Sequence, residues 1–315
     1  MLGQLETRLQ PADRPVTTNR TRSAQQPPLM PMTTGMPHDI EETTTPGACL
    51  IKGGRVVTVR RSEVADLARQ PAPAGGPTLP PRFLRHADEQ TVVAMRAVLE
   101  TLAEAGGNAD DLTRDAVVAA SCRAGQPTAA RTMVALEQQG PVGVTPHVVP
   151  QCSLHSPASA VSVGLGLHGP TIGVGGGPAA LGEGLLSAAT LAMSLAITQP
   201  AATIWLIITG WDTPPVLDNE AAPTNDSTCR GLALHLKPLV AGTPRPEAAS
   251  LWIDPCSLGN SPDQANDNLP LWEFCERLTQ GRATQIGCGR GLTASLIPGE
   301  AGFGVGTPAT AREAA

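Results

Sequence analysis

An α/β fold, with a mostly parallel mixed sheet covered by helices on both faces, is what this chain predicts, and three observations carry that expectation. Short unbroken apolar runs, AVVAA at 116–120 and TIWLIIT at 203–209, read as strands buried on both faces. Apolar residues at helical spacing fill the stretches between and around them, at 88–103, 128–139, 157–167 and 178–197. Strands that alternate with helices in this way imply crossover connections, which bring neighbouring strands into parallel register. With 315 residues, 41% hydrophobic and only 16% charged, the chain can bury a sizeable core.

Taken in order, residues 1–45 are rich in Pro, Thr, Gln and Arg without a sustained apolar period, and are expected to form a disordered arm. A strand pair is expected at 48–51 and 55–59, split by the turn signal Gly53-Gly54. The Pro-rich segment QPAPAGGPTLPP at 70–81 reads as a flexible lead into the globular part. From Asp88, the residues Val92, Val93, Met95, Val98, Leu99, Leu102 and Ala103 describe a surface helix with one buried stripe, stopped by Gly106-Gly107. After the 116–120 strand and the 128–139 helix come a helix at 157–167, a short strand at 171–174 and a long Ala/Leu helix at 178–197. The 203–209 strand is the clearest in the chain, and GLALHL at 231–236 is a further one. A main domain is thus expected at 46–240. Residues 241–300 form an extension that completes or flanks the sheet, with strands at 249–253 and 291–297 and a helix at 269–278. A frayed Gly/Ala-rich tail is expected at 301–315.

Composition narrows the function classes. Three Phe, four Trp and no Tyr leave few platforms for stacking bases, and the formal charge of -6, with no run of Lys and Arg in the sequence, disfavours nucleic acid. No stretch approaches the roughly 20 uninterrupted apolar residues of a membrane span, and the polar start MLGQLETRLQ is unlike a secretory leader, so a cytoplasmic location is expected. The seven cysteines, Cys49, Cys122, Cys152, Cys229, Cys256, Cys275 and Cys288, are odd in number, scattered and never spaced as CxxC, which suits reduced thiols better than disulfides or a closed zinc site.

Two glycine motifs stand out. Gly164-Leu-Gly166-Leu-His168-Gly169 fits GxGxxG, but it ends a helix and enters a strand, the reverse of a dinucleotide fingerprint, so helix-end and turn glycines are the better reading. The run Gly173-Val-Gly175-Gly176-Gly177-Pro178 lies between a strand and a helix, where free N–H groups and the helix dipole favour an anion or oxyanion. It lacks the Lys-Ser/Thr of a P-loop, and Pro178 equally suits the first turn of a helix in a purely structural elbow. Cys152 and His155 form the close thiol–imidazole pair that nucleophilic catalysis requires, although a loop thiol beside an ordinary imidazole satisfies the same spacing. Asp212 follows the central strand, where parallel sheets deliver functional residues, and could equally cap the turn before Pro214-Pro215. His147, His168 and His235 have no partner in sequence, and neither a metal set nor a cofactor fingerprint emerges.

In residues 115–212 the order of signals resembles the N-terminal half of the β-ketoacyl synthases of the thiolase superfamily. The resemblance rests on the strand AVVAAS, a helix, CSLHSPASAVSVGLGLHGP, a strand–elbow–helix unit and a strand ending in TGWD. It is nearest to the group of chain-length-factor-like proteins, through Ser153-Leu-His155-Ser156, Gly166-Leu-His168-Gly169-Pro170 and Trp211-Asp212. The resemblance implies a thiolase-like half-unit and places the family's nucleophilic Cys at or beside Pro178. The neighbours Gly175, Gly176, Gly177, Ala179 and Ala180 carry no thiol or hydroxyl, and the one His after Asp212 is His235. It therefore implies a non-catalytic subunit that assists fatty acid or polyketide assembly. An apolar helix at 178–197 would be buried in a homo-oligomer or in a heterodimer with a complete ketosynthase. An acyl carrier protein or coenzyme A thioester is the implied ligand. Two other readings are an acyltransferase whose chemistry has moved to Cys152 and His155, and a simple acyl-thioester binder using the 173–177 loop.

Overall fold

The structure is a computed structural model, and it describes residues 48–106, 112–240, 243, 248–255, 269–289, 291–299 and 304–306. The expected N-terminal arm and most of the expected tail lie outside the described residues.

The chain forms one mixed sheet of order β3-β2-β4-β5-β1-β6-β8-β7, with β9 against β1. The strands are β1 (Ala48–Arg60), β2 (Ala116–Cys122), β3 (Thr171–Gly176), β4 (Ile204–Trp211), β5 (Thr228–Pro238), β6 (Ser250–Pro255), β7 (Thr284–Gly287), β8 (Leu292–Ile297) and β9 (Gly304–Gly306). The principal helices are α1 (Val64–Leu67), α2 (Glu89–Glu104), α3 (Gln126–Gln139), α4 (Val148–Cys152), α5 (Ser156–Leu165), α6 (Ala180–Thr198) and α7 (Leu271–Thr279).

Period-two alternation in the central strands divides the core into two layers. Val117, Ala119, Trp205, Ile207 and Ala233 face α2 and α5. Val118, Ala120, Leu206, Ile208, Leu232 and Leu234 face α6 and α7. Because both faces are covered, the strands read as continuous apolar runs, which is why 116–120 and 203–209 were legible. The layers are closely packed: a Cβ on Gly184 of α6 would lie 2.5 Å from the Ala120 Cβ, so only glycine lets the helix approach β2 this closely. The α6 residue Leu185 is fully buried in this contact, and truncating such a leucine to alanine costs about 2–5 kcal/mol.

The α/β class stands, whereas the balance of strand directions differs from expectation. Within the described residues, β2–β3, β2–β4 and β1–β9 are parallel. The pairs β4–β5, β1–β5, β1–β6, β6–β8 and β7–β8 are antiparallel. The physical reason is the connection: residues 212–227 join β4 to β5 through turns and one isolated bridge, Leu217 to Pro223, with no helix to carry a crossover.

Four local differences also have physical causes. The expected hairpin at Gly53-Gly54 is a single 13-residue strand whose register shifts between Ile51 and Gly53, so the glycines accommodate a bulge instead of a reversal. Helix α2 is buried on nearly all sides rather than along one stripe. The reason is that the Pro-rich segment is not merely a lead: Leu79, Phe83 and Leu84 fold over the outer face of α2. Helix α3, by contrast, buries only Pro127 and leaves Met133 64% exposed. Residues 304–306, expected to fray, pair with β1. Residues 250–255, 284–287 and 292–297 continue the main sheet, of which the 284–287 strand is too short to stand out in sequence.

Helix α6 is long and apolar enough by length and composition to cross a membrane, but half of it is buried inside this fold. Leu181, Leu185, Ala188, Ala189, Ala192 and Leu195 pack on the sheet, which accounts for its composition without a bilayer.

Candidate functional site

The strand-to-helix elbow lies at the C-terminal end of β3. Ser121 and Cys122 of β2 are in register with Gly175 and Gly176. Both glycines have positive φ, 93° and 104°, and a Cβ on Gly175 would lie 2.8 Å from that of Ala180 and 3.2 Å from the Ser121 carbonyl oxygen. The chain thus turns sharply into α6 using backbone conformations that side chains disfavour. Gly177, Pro178 and Ala179 complete the turn, the Ala180 N–H donates to Gly177 O at 3.2 Å, and the Glu183 N–H donates to Ala179 O at 3.0 Å.

Buried hydrogen bonds hold the floor beside this elbow. Gln90 of α2 donates through Nε2 to the Cys122 carbonyl (2.8 Å) and accepts from the Thr209 hydroxyl (2.8 Å). Thr209 and Ser121 hydroxyls lie 2.8 Å apart. A satisfied polar chain of this kind fixes the ends of β2 and β4 relative to α2. The elbow is therefore built and supported, yet Gly175, Gly176, Gly177, Pro178 and Ala179 present no group able to attack a thioester or to transfer a proton. Pro178 also lacks the N–H that an oxyanion would need from that position.

Cys152 ends α4 and His155 caps the start of α5. A Cβ on Gly125 would lie 2.6 Å from the Cys152 Cα, and one on Gly173 would lie 2.7 Å from the His155 Cα. The structure brings the two residues near the elbow strands but joins them by no hydrogen bond. The Cys152 thiol points to the Gly125 carbonyl at 3.7 Å. Burial raises its pKa, the Asp88 carboxylate adds to the effect, and Arg131 opposes it. Such a thiol is the reverse of an activated thiolate. His155 is exposed, with its backbone N–H bound by the Ser153 hydroxyl at 3.1 Å.

Asp212 follows β4 as expected, but its carboxylate is held by Arg230 of β5 in a two-point ion pair, Nε to Oδ1 at 3.0 Å and Nη2 to Oδ2 at 2.7 Å. That geometry fixes the β4–β5 edge and commits both carboxylate oxygens to Arg230. His235 lies at the opposite, N-terminal edge of β2 and β4. It stacks on Trp205 with ring centroids 4.3 Å apart and shares a 2.7 Å hydrogen bond with the Thr203 hydroxyl. His147 stacks on His86, 5.0 Å apart. The GxGxxG glycines close α5: Gly166 is its left-handed cap at φ 66°, and a Cβ on Gly169 would lie 2.3 Å from the Asp115 carbonyl oxygen.

One residue near the elbow escaped the sequence reading. Cys122 ends β2 in register with Gly176, half-buried, with burial raising its pKa and Arg123 opposing. The signal available was its place as the last residue of the AVVAASC run.

Residues 55–180 match the model of the β-ketoacyl synthase N-terminal domain, a match that ends at the elbow. The chain is thus β-ketoacyl synthase-like over that span, as its sequence signals imply. Among solved structures it is similar to a ketosynthase (ApeO) in complex with its chain length factor (ApeC) from Xenorhabdus doucetiae, with 17% identity, 79% of this chain and 99% of that chain covered, and a TM-score of 0.48. It is also similar to the ishigamide ketosynthase/chain length factor, with 21% identity, 67% and 68% covered and a TM-score of 0.42. A β-ketoacyl synthase from Burkholderia phymatum is 15% identical, with 70% and 67% covered and a TM-score of 0.41. No curated protein matches the chain.

Proposed function

We propose that this chain is a non-catalytic, chain-length-factor-like subunit that assists β-ketoacyl synthesis in fatty acid or polyketide assembly. The observation that carries the reading is the elbow itself: its backbone is intact and supported, while Gly175, Gly176, Gly177, Pro178 and Ala179, at or beside which the resemblance places the family's nucleophile, carry no thiol or hydroxyl. The match to the β-ketoacyl synthase N-terminal domain supports the family context. A partner that supplies the nucleophile follows from its absence here, and we take that partner to be a complete ketosynthase, with a carrier-borne or coenzyme A thioester as the ligand the pair would share. The described Cys49, Cys122, Cys152, Cys229 and Cys275 are free thiols, which fits our reading of a protein working in a reducing cytoplasm.

The test is incubation of the purified chain with malonyl- and acyl-carrier thioesters, followed by intact-mass analysis beside an active synthase. No covalent adduct is expected from the chain alone. An adduct that forms at the control's rate and disappears when one cysteine is replaced would overturn the proposal and return attention to Cys152 or Cys122.

A further inference from the structure

A cleft of about 1330 Å³ lies on the α2 side of the sheet, and no elbow residue lines it. Its walls are the turn after β1, the 78–89 segment, α2 and α3. Arginines far apart in sequence converge there: Arg61, Arg69, Arg82, Arg85, Arg96 and Arg131, against the carboxylates Asp88 and Glu89. Six cations less the two lining anions, and less Asp66 and Glu100, which pair with Arg69 and Arg96 from outside the lining, leave a formal +2 in a chain whose net charge is -6. The sequence showed no basic run because the cluster exists only in the fold.

The acids neutralise only part of it. Asp88 is buried, and its two oxygens already accept from the Thr91 and Gly125 N–H groups at 3.0 and 3.2 Å. Arg69 and Arg96 have carboxylates of their own, Asp66 and Glu100, each at 2.7 Å. Arg61, Arg82 and Arg85 have no ion pair among the described residues, and the buried Nε of Arg61 has no hydrogen-bond partner. A buried guanidinium nitrogen left unsatisfied calls for an acceptor. Between the arginines the lining is mixed, with Leu67, Leu79, Phe83 and Leu99 supplying apolar surface beside Gln70, Thr78 and Thr128, and Leu67 and Leu99 belong to the core.

We infer that this cleft binds an amphiphilic oxyanion, a phosphate or carboxylate head carrying an extended apolar chain. Guanidinium groups match both heads through paired N–H donors, and the apolar lining would bury a tail from water. The cleft exceeds the roughly 300–1,000 Å³ of drug-sized ligand pockets, which favours an extended molecule over a bare ion. Phe83 is the one aromatic ring of Phe or Trp in the lining, so a nucleic-acid strand would find little to stack on. The inference is independent of the accessory-subunit proposal.

Titration calorimetry on the full chain, with octyl phosphate, octanoate, octanol and inorganic phosphate each below its aggregation limit, tests it. An octyl anion is expected to bind at least tenfold more tightly than both octanol and inorganic phosphate, and the ratio of octyl phosphate to octanoate identifies the preferred head. The exposed pair R82E/R85E should weaken that binding at least tenfold while leaving the circular dichroism unchanged. Hydrogen exchange on the unmodified chain provides a readout that needs no variant: octyl phosphate should protect 78–92. Equal weak binding of all four probes, binding unmoved by R82E/R85E, or protection confined to other segments would overturn the inference.

Discussion

Two adjacent glycines of the elbow should respond oppositely to the same added methyl group. At Gly175 the backbone sits at φ 93°, where an L side chain costs on the order of 1–2 kcal/mol. The new Cβ would stand 2.8 Å from the Ala180 Cβ and 3.2 Å from the Ser121 carbonyl oxygen, both on packed elements that cannot simply swing aside. Overpacking of this kind adds about 1–3 kcal/mol. The sum for Gly175→Ala is therefore about 2–5 kcal/mol, a large share of the 5–15 kcal/mol typical of a folded domain. At Gly177 nothing lies within 4 Å of the new Cβ, and its φ falls outside the left-handed range. Gly177→Ala should change stability by less than about 0.5 kcal/mol, or raise it slightly by narrowing the unfolded ensemble.

Urea denaturation followed by the fluorescence of the tryptophans, among them the fully buried Trp205, reads both variants against the parent. The expected result is a clear fall in midpoint for Gly175→Ala and none for Gly177→Ala, with similar slopes. Equal shifts for the two, or a stable Gly175→Ala protein, would refute the claim that the turn into α6 keeps a strained geometry. The supporting observation for the accessory-subunit proposal would then be lost.

Three further outcomes are expected. Cys152, whose pKa is raised by burial and by Asp88, should alkylate with iodoacetamide near pH 7 no faster than a simple thiol, and rapid labelling located by peptide mass spectrometry would contradict its environment. For Asp115, burial pushes the carboxyl up, but His235 and the hydrogen bonds from Thr203 outweigh it and hold the pKa below its ordinary value. Because the folded pKa is the lower one, this stabilisation is present above the unfolded pKa of about 3.9 and is lost as pH falls through the folded value. Asp115→Asn should cost about 1–3 kcal/mol at neutral pH, since one oxygen accepts from the Thr203 N–H and the other from Trp205 Nε1, and an amide can serve only one of them. Its melting temperature should also fall less steeply than the parent's below about pH 4. Asp212→Ala strands the half-buried Arg230 guanidinium and should destabilise the fold by about 1–3 kcal/mol in thermal melts, and a variant as stable as the parent would contradict the two-point pair.

How much was legible in sequence depended on whether a signal was local. The strands at 116–120 and 203–209 announced themselves because both their faces are buried, so an unbroken apolar run was the full pattern. The elbow glycines were equally readable, since a glycine run between a strand and a helix has few other uses. What failed was whatever depends on a distant neighbour. The apolar residues from Val92 to Ala103 describe a surface helix with one buried stripe, and sequence alone could not show that Gln90 of α2 meets Thr209 and Cys122, 119 and 32 residues away. The bulge at Gly53 differs from a hairpin turn only in where the next strand pairs, and that partner, β5, lies almost 180 residues on.

The same distinction separates the two sites. The elbow could be found in sequence because its evidence is contiguous, and the lack of a thiol or hydroxyl at 175–180 is read directly from the letters there. The cleft could not, because its arginines come from positions 61 to 131 and gather only when the 78–89 segment folds back over α2. Pro-rich composition at 70–81 suggested a flexible lead, yet it is the covering of α2 by Leu79 and Phe83 that sets Arg82 and Arg85 at the rim. Arg82 adopts φ 63°, a left-handed conformation uncommon for a side-chain-bearing residue. Residues 175–180 of the elbow carry no thiol or hydroxyl, while six arginines line one cleft, and that cleft is the first place to test for a ligand of this chain alone.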